Sequence, residues 1–488
     1  MNIRRSLAFS LLDRYAGLVV TIVATMILAR LLTPAELGVY SLAMALLAMA
    51  ATVRDMGAGN YLLQEPDLTA DRVRAVWALQ LGLGLGLALI VAALSGPVAA
   101  FYAEPDIQSI MLILALNYLV NPVGSLTYAW LMREMRYDAL ALMRLSSALS
   151  GAVVSVFLAW RGAGAISLAW GGLCSTVVNA VVSMAFRPDH FPWMPGLKEI
   201  RRVLSFGVRM TSTSIMNSLA IVAPEFLLGK TQGMAAVGFY SRANGLVSLF
   251  SRLVTDAVYS VALSMFSQRA RAGLEYSDEF VRALSYVTVL SWPFFGGLAL
   301  LAHPTILLLY GPQWVDSVAL TRWLAFATAV GAPISLCTAA LIGSGAMAAF
   351  MRVSAVTLAT TVVAAGVGAA YGLAALGPAL ALGSVVAIVF WLKQTRGRVG
   401  FSWAAMARAS GQSAAVALVT LAGPLLSVIV FGHAPASPWA PLLLGAAVGV
   451  PLFVLAVLRL GHPLGDELVR AGVAGRLLMR RLAHRSGA

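Results

Sequence analysis

Gly238-Phe239-Tyr240-Ser241-Arg242-Ala243 stands 200 residues after Gly38-Val39-Tyr40-Ser41-Leu42-Ala43, and Lys230 stands at the same offset from Arg30. A chain that repeats itself at so long a period is built from two halves. The second copy lies in Val203 to Ala270, two apolar segments long enough to cross a bilayer that nevertheless hold Arg209, Glu225, Lys230, Arg242, Arg252 and Asp256. A charge near the bilayer centre costs about 3 kcal/mol on insertion scales, so it persists where it meets water, a partner or a ligand.

The repeat extends outward from this motif. Tyr102 matches Tyr310, and Met143-Arg144-Leu145-Ser146 matches Met351-Arg352-Val353-Ser354, both at an offset of 208. Gly162 matches Gly372 at 210, and Pro122 pairs with Pro333 once three residues are inserted. Six spans separate the partners, an even number, so both halves run in the same direction through the membrane. Such parallel repeats are related by an axis along the membrane normal, a plan that several transporters share.

Composition sets the class. Of 488 residues 60% are hydrophobic and 11% charged, against about 25% charged in soluble domains. The chain is an all-α polytopic membrane protein. Its net charge of +14 is spread through the gaps between apolar runs, which points to cytoplasmic loops and anionic headgroups and away from nucleic acid. Runs of about 20 apolar residues place spans at 8–32, 37–58, 74–101, 107–132, 140–160, 164–186, 203–229, 235–267, 281–309, 317–345, 352–371, 373–393, 410–431 and 438–459. Fourteen are expected. With the N-terminus inside, most of the 34 basic residues fall on the cytoplasmic side in alternate loops, so both termini are expected there. Trp130, Trp160, Trp292, Trp314, Trp391 and Trp439 fall near span ends, where an aromatic belt is expected. The expected domains are a first lobe at 1–200, a second at 201–400, an extra helix pair at 401–460 and a basic cytoplasmic tail at 461–488, read as an interfacial helix or a disordered segment.

The charged side chains inside spans are the candidate site. At 100° per residue Arg242, Arg252 and Asp256 share an arc of about 80°. They read as a cationic cavity wall, or, for Arg252 with Asp256, as a structural ion pair. Arg209, Thr213 and Asn217 form one stripe on the seventh span, a hydrophilic lumen or a helix-to-helix hydrogen-bonding face. Arg14 shares a face with Thr21 and Thr25; it lines the same path or snorkels to the headgroups, as Arg209 also could. Glu225 follows Pro224 at an expected kink. It and Asp256 are candidates for coupling to H+ or Na+, a salt bridge to Lys230 being the competing reading for Glu225. Pro122, Pro224 and Pro333 are candidate hinges, with simple packing kinks as the alternative.

Other chemistries find no support. Gly229-Lys230-Thr231 ends like a phosphate-binding loop, but Pro224 occupies the position of its first glycine and no strand precedes it. Gly82, Gly84 and Gly86 read as close helix packing, and Cys174 and Cys337 as small core residues. The histidines are scattered at span ends, and no loop is long enough for a catalytic domain. No cofactor or metal is expected.

Ala29-Arg30-Leu31-Leu32-Thr33-Pro34-Ala35-Glu36-Leu37-Gly38-Val39-Tyr40 resembles the signature at the first two helices of bacterial polysaccharide-unit flippases. These belong to the multidrug, oligosaccharidyl-lipid and polysaccharide exporter superfamily. Asp55-Met56-Gly57, Tyr61-Leu62-Leu63-Gln64 and Phe101-Tyr102 before Glu104-Pro105 are similar to the colanic acid and exopolysaccharide export branch. The resemblance implies two six-helix lobes in a V plus a helix pair, alternating access in the bacterial inner membrane, and undecaprenyl-pyrophosphate carrying a sugar repeat unit as substrate. It further implies membrane lipid, a polymerase and chain-length proteins as partners. An ion-coupled multidrug exporter and a lipid II flippase are the alternatives. A pyrophosphate would suit Arg14, Arg209, Arg242 and Arg252, because guanidinium binds phosphate bidentately.

Overall fold

The computed structural model describes residues 3–55, 61–62, 65, 67–187, 194–250, 255–467 and 469–470. All regular structure among them is helical. The order is α1 (Ile3–Leu31), α2 (Pro34–Asp55), α3 (Ala70–Tyr102), α4 (Asp106–Arg133), α5 (Tyr137–Trp160), α6 (Ile166–Met184), α7 (Ile200–Thr231), α8 (Met234–Phe250) and α9 (Asp256–Arg271). It continues with α10 (Ser277–Leu300), α11 (Ala302–Leu309), α12 (Ser317–Gly331), α13 (Ile334–Gly343), α14 (Met347–Tyr371), α15 (Leu373–Val399), α16 (Trp403–Phe431) and α17 (Trp439–Arg459). Helices satisfy their backbone groups internally, which is what a lipid solvent demands.

Among the described residues eleven helices are long and apolar enough to cross a membrane, α12 and α13 counting together. The expected total of fourteen is therefore not confirmed, and the three expected spans not counted, 8–32, 203–229 and 235–267, each include residues outside the described ones. In α1 the side chains of residues 3–15 lie outside the described residues, and the described part is the apolar Ala16–Leu31. In α7, Arg201, Arg202, Arg209 and a run of hydroxyl residues lower the hydropathy. The eighth expected span is described as two helices of 17 and 16 residues, with 251–254 outside the described residues.

The chain forms two compact units, Met1–Ser241 and Arg242–Ala488. In the first, α3 packs on α4, α4 on α6 and α5 on α6; in the second, α10 packs on α12, α12 on α15 and α14 on α15. These are the same pairings, helix for repeat-related helix, so the parallel repeat read from sequence is a repeat of packing. Gly162 (φ 83°) and Gly372 (φ 103°) occupy the equivalent turns in the left-handed half of backbone space that glycine tolerates. Within the first unit α7 packs on α2 and α3. The extra pair α16 and α17 packs together, with α16 against α10.

Proline acts differently at its three expected hinges. Pro122 is buried inside α4, where it leaves the Tyr118 carbonyl without its helical partner. Gly84 of α3 covers that carbonyl: a Cβ there would lie 2.4 Å from the Tyr118 oxygen. Gly82 and Gly86, expected in close packing, face open space instead. Pro224 sits within a continuous α7, whereas Pro333 separates α12 from α13. The aromatic belt also needs correction. Trp160 and Trp439 are exposed, but Trp314 and Trp391 are buried. The Trp391 and Trp292 indoles donate to Thr357 Oγ1 and the Ala329 carbonyl, which lets them leave the interface. Cys337 is buried as expected, and Cys174 is half-buried.

Several loop arginines are structural fasteners as well as orientation signals. Arg133 donates to the Leu62 and Glu65 carbonyls at 2.7 and 2.6 Å, and Arg72 pairs with Glu65 at 3.1 Å. Arg187 donates to the Val123 carbonyl at 2.7 Å and to Thr127 Oγ1 at 3.1 Å, with its guanidinium over Trp77. In the second unit a buried polar chain ties the extra pair to α10. His462, 1% exposed, accepts the Leu464 N–H on Nδ1 at 3.2 Å, so its proton sits on Nε2, 3.3 Å from Ser413 Oγ. Thr288 Oγ1 and Ser413 Oγ are 2.9 Å apart.

Burial lowers the proton affinity of the His462 imidazole below its ordinary value. Its contribution to stability is therefore complete above the unfolded pKa of about 6.5 and declines as pH falls below it. We expect His462→Phe to lower stability by roughly 1–3 kcal/mol, because Ser413 and the Leu464 N–H lose their partner. Apparent melting temperatures of the purified protein at pH 8 and pH 5.5 check both statements: the wild type should lose stability at the lower pH and the variant should lose less.

Candidate functional site

The repeated motif is a point of physical contact. Thr33, Pro34 and Glu36 start α2 as a capping box: the Thr33 N–H and hydroxyl both donate to Glu36 Oε2 at 2.8 Å, and the Glu36 N–H reaches Thr33 Oγ1 at 3.3 Å. Pro34 fits the first helical position, whose N–H would have no partner. Gly233, at φ 81°, ends the turn from which α8 starts. The two helices then cross on their backbones. A Cβ on Gly38 would lie 1.8 Å from the Met234 oxygen, and a Cβ on Gly238 would lie 2.0 Å from the Pro34 oxygen. Met234 stands 200 residues after Pro34, as Gly238 does after Gly38, so each repeat presents the same glycine to the same carbonyl of the other. One turn further in, the Ser41 hydroxyl donates to Ser241 Oγ at 2.8 Å. These residues all lie in the first unit.

Two further contacts flank the crossing. α3 ends at Ala103, which adopts φ 56° so that Ala103 N–H and Glu104 N–H bond back to Ala100 and Ala99. That turn sets Phe101 and Tyr102 against the end of α7. Lys230 donates to the Phe101 carbonyl at 2.7 Å and sits 4.1 Å from the Phe101 ring centre. Tyr102 donates to the Phe226 carbonyl at 3.4 Å, and Gly229 lets the Tyr102 ring approach. Between α2 and α7 the Thr52 and Ser218 hydroxyls are 2.9 Å apart.

The sequence-predicted residues are distributed as follows. Arg242 is half-buried, and its guanidinium carbon lies 5.6 Å from the Tyr310 ring and 5.7 Å from the Trp314 ring, both buried. Gly311, at φ 99°, turns the chain into the short 3-10 segment Pro312–Trp314 that seats the indole. A cation over two desolvated aromatic faces is held by about 2 kcal/mol or more. The tyrosine pair 102 and 310, matched by the repeat, thus marks two equivalent aromatic corners, each carrying a cation. Sequence reading took both corners as loops; their tyrosine-repeat match was the available signal. It also missed the Thr33 to Glu36 capping box, which the spacing of threonine and glutamate announces.

Asn217 is exposed on α7. Glu225 is half-buried and lies within electrostatic range of buried Tyr240. Its alternative salt bridge to Lys230 does not form, since Lys230 is turned onto Phe101. The side chains of Arg14, Arg209 and Asp256, and the whole of Arg252, lie outside the described residues. Among the described residues no group of three His, Cys, Asp or Glu could hold a metal ion.

The Ser41 and Ser241 pair gives a direct check on the crossing. Ser41→Cys with Ser241→Cys should form a disulfide readily under mild oxidation, whereas either single variant should not, as read by electrophoretic mobility after proteolysis between the repeats. Gly38→Val should suppress that disulfide, and Gly245→Ala on α8, where a Cβ meets nothing, should leave it unchanged.

A family model described as polysaccharide biosynthesis protein matches residues 27–319. The succinoglycan biosynthesis transport protein ExoT of Rhizobium meliloti (strain 1021) is 25% identical over 408 residues, which cover 82% of this chain and 80% of that one. In fold the chain is similar to the lipid II flippase MurJ in an inward closed conformation, with a TM-score of 0.76 at 13% identity, over 93% of this chain and 98% of that one. It is also similar to an inward-facing multidrug resistance MATE family transporter of the MOP superfamily, with a TM-score of 0.62 at 16% identity, over 79% and 94%.

Proposed function

Since the chain belongs to the polysaccharide biosynthesis protein family, we propose that it is a flippase: it carries a saccharide repeat unit linked to undecaprenyl-pyrophosphate from the inner to the outer leaflet of the bacterial inner membrane, by alternating access. Its termini lie in the cytoplasm, and the unit feeds polysaccharide assembly by a polymerase and chain-length proteins. The observation that carries the reading is the Gly38 and Gly238 crossing. A gate has to close tightly and open cheaply. This one closes by backbone contact between two glycines and one hydroxyl pair, contacts that part at little cost.

With both termini inside, the crossing lies on the outer side and is the closed outer gate. Lys230 and Tyr102 clamp its flank through Phe101 and Phe226. The pyrophosphate, too costly to bare in hydrocarbon, is taken up by guanidinium groups from Arg14, Arg209, Arg242 and Arg252. Movement of H+ or Na+ through Glu225 and Asp256 drives the cycle. ExoT supports the reading as a transport protein of exopolysaccharide biosynthesis, and the MurJ and MATE likenesses support the fold it needs.

In a strain lacking its own copy of the protein, oxidation of the Ser41→Cys, Ser241→Cys variant should stop polymer export and a reductant should restore it. Arg242→Ala should abolish export while the protein stays inserted and abundant, with Arg242→Lys keeping part of the activity because an ammonium still stacks on the two rings. Ethidium efflux should be unchanged in all of these strains. Export at wild-type level from the oxidised double variant removes the gate from this reading; loss of drug efflux replaces the substrate.

A further inference from the structure

A groove of about 640 Å³ runs along the first unit between α1 and α5, and it lies apart from the crossing. Val19, Val23 and Ile27 form one wall, and Val153, Phe157 and Trp160 the other; all six are exposed. Among the described residues no side chain lining it carries a charge, and the polar group there is the Trp160 indole. The lining runs from Val19 to Ile27 on α1 and from Leu149 to Trp160 on α5, about 12 and 16 Å at 1.5 Å per residue. That is close to half of a hydrocarbon core about 30 Å thick. The groove therefore has the depth of one leaflet.

One end carries a cation. α5 terminates at Trp160, and the next residue, Arg161, is exposed, with its guanidinium carbon 5.2 Å from the Phe157 ring and 5.8 Å from the Trp160 ring. Among the described residues no carboxylate pairs with it within 4 Å. Two aromatic faces orient the guanidinium and leave its in-plane N–H groups available, the edge that binds phosphate oxygens.

From this geometry we infer that the α1–α5 groove binds one polyprenyl chain, with the lipid's phosphate on Arg161. A single apolar channel under a single cation matches a one-chain phosphate lipid; a glycerophospholipid would leave its second chain unhoused. The inference rests on the flippase reading for its physiological ligand, the carrier of the saccharide unit on its way along the outer leaflet.

The test uses the full chain in phosphatidylethanolamine nanodiscs with undecaprenyl monophosphate, followed by native mass spectrometry. We expect a one-to-one adduct whose apparent affinity falls about tenfold in Arg161→Gln and in Val153→Trp, which fills the channel. Val153→Ala, which leaves the channel open, should bind as wild type. An adduct unaffected by both groove variants overturns the inference, and so does equal displacement by phosphatidylglycerol, which marks a charged lipid surface only. Melting temperatures of the variants separate misfolding from loss of the ligand. The two readings fail separately. Binding through Arg161 without saccharide export leaves the groove and removes the flippase; export with wild-type binding in both groove variants leaves the flippase and removes the groove.

Discussion

The architecture depends on two glycines that let two helices touch backbone to backbone. At Gly38 and Gly238 any side chain would occupy space already held by the Met234 and Pro34 carbonyls. The approach is reciprocal because the sequence is repeated, and it demands that both helices begin at a set place. A capping box starts α2 and a left-handed glycine precedes α8. Close backbone approach without polar bonds is how helices associate when the solvent is as apolar as leucine. Here the contact is held by packing and one hydroxyl pair, Ser41 with Ser241.

Charge in this chain is managed by geometry that no net-charge count reveals. The bilayer penalises a bare cation, and the structure answers in three ways. Aromatic faces take Arg242 and Lys230. Backbone carbonyls take Arg133, at Leu62 and Glu65, and Arg187, at Val123 within α4. Arg161 keeps its donors free while its face stacks. The acids are fewer and serve mostly as caps and clasps, as Glu36 and Glu65 do.

The extra helix pair is not an appendage. A buried chain of hydroxyls from Thr288 through Ser413 to His462 ties α16 and the end of α17 to α10. Apolar packing of Val289, Val416, Ala456 and Val457 surrounds it. Polar groups so placed cost nothing once each has a partner, and they define how the pair docks.

Hydropathy, basic-loop asymmetry and the 200-residue echo were enough to determine an all-helical membrane protein of two parallel repeats with an added pair. The reason is that lipid leaves the backbone few options and a period in sequence is a period in packing. The polarity of α7 was legible too, as residues that lipid would reject. Which residues meet was decided by tertiary structure. That Gly38 meets the Met234 carbonyl, that Lys230 turns from Glu225 to Phe101, and that Trp314 is buried under Arg242 depend on contacts between residues far apart in the chain. Helical periodicity assigns a face to each residue but not the neighbour on that face, because the neighbour is chosen by how whole helices pack.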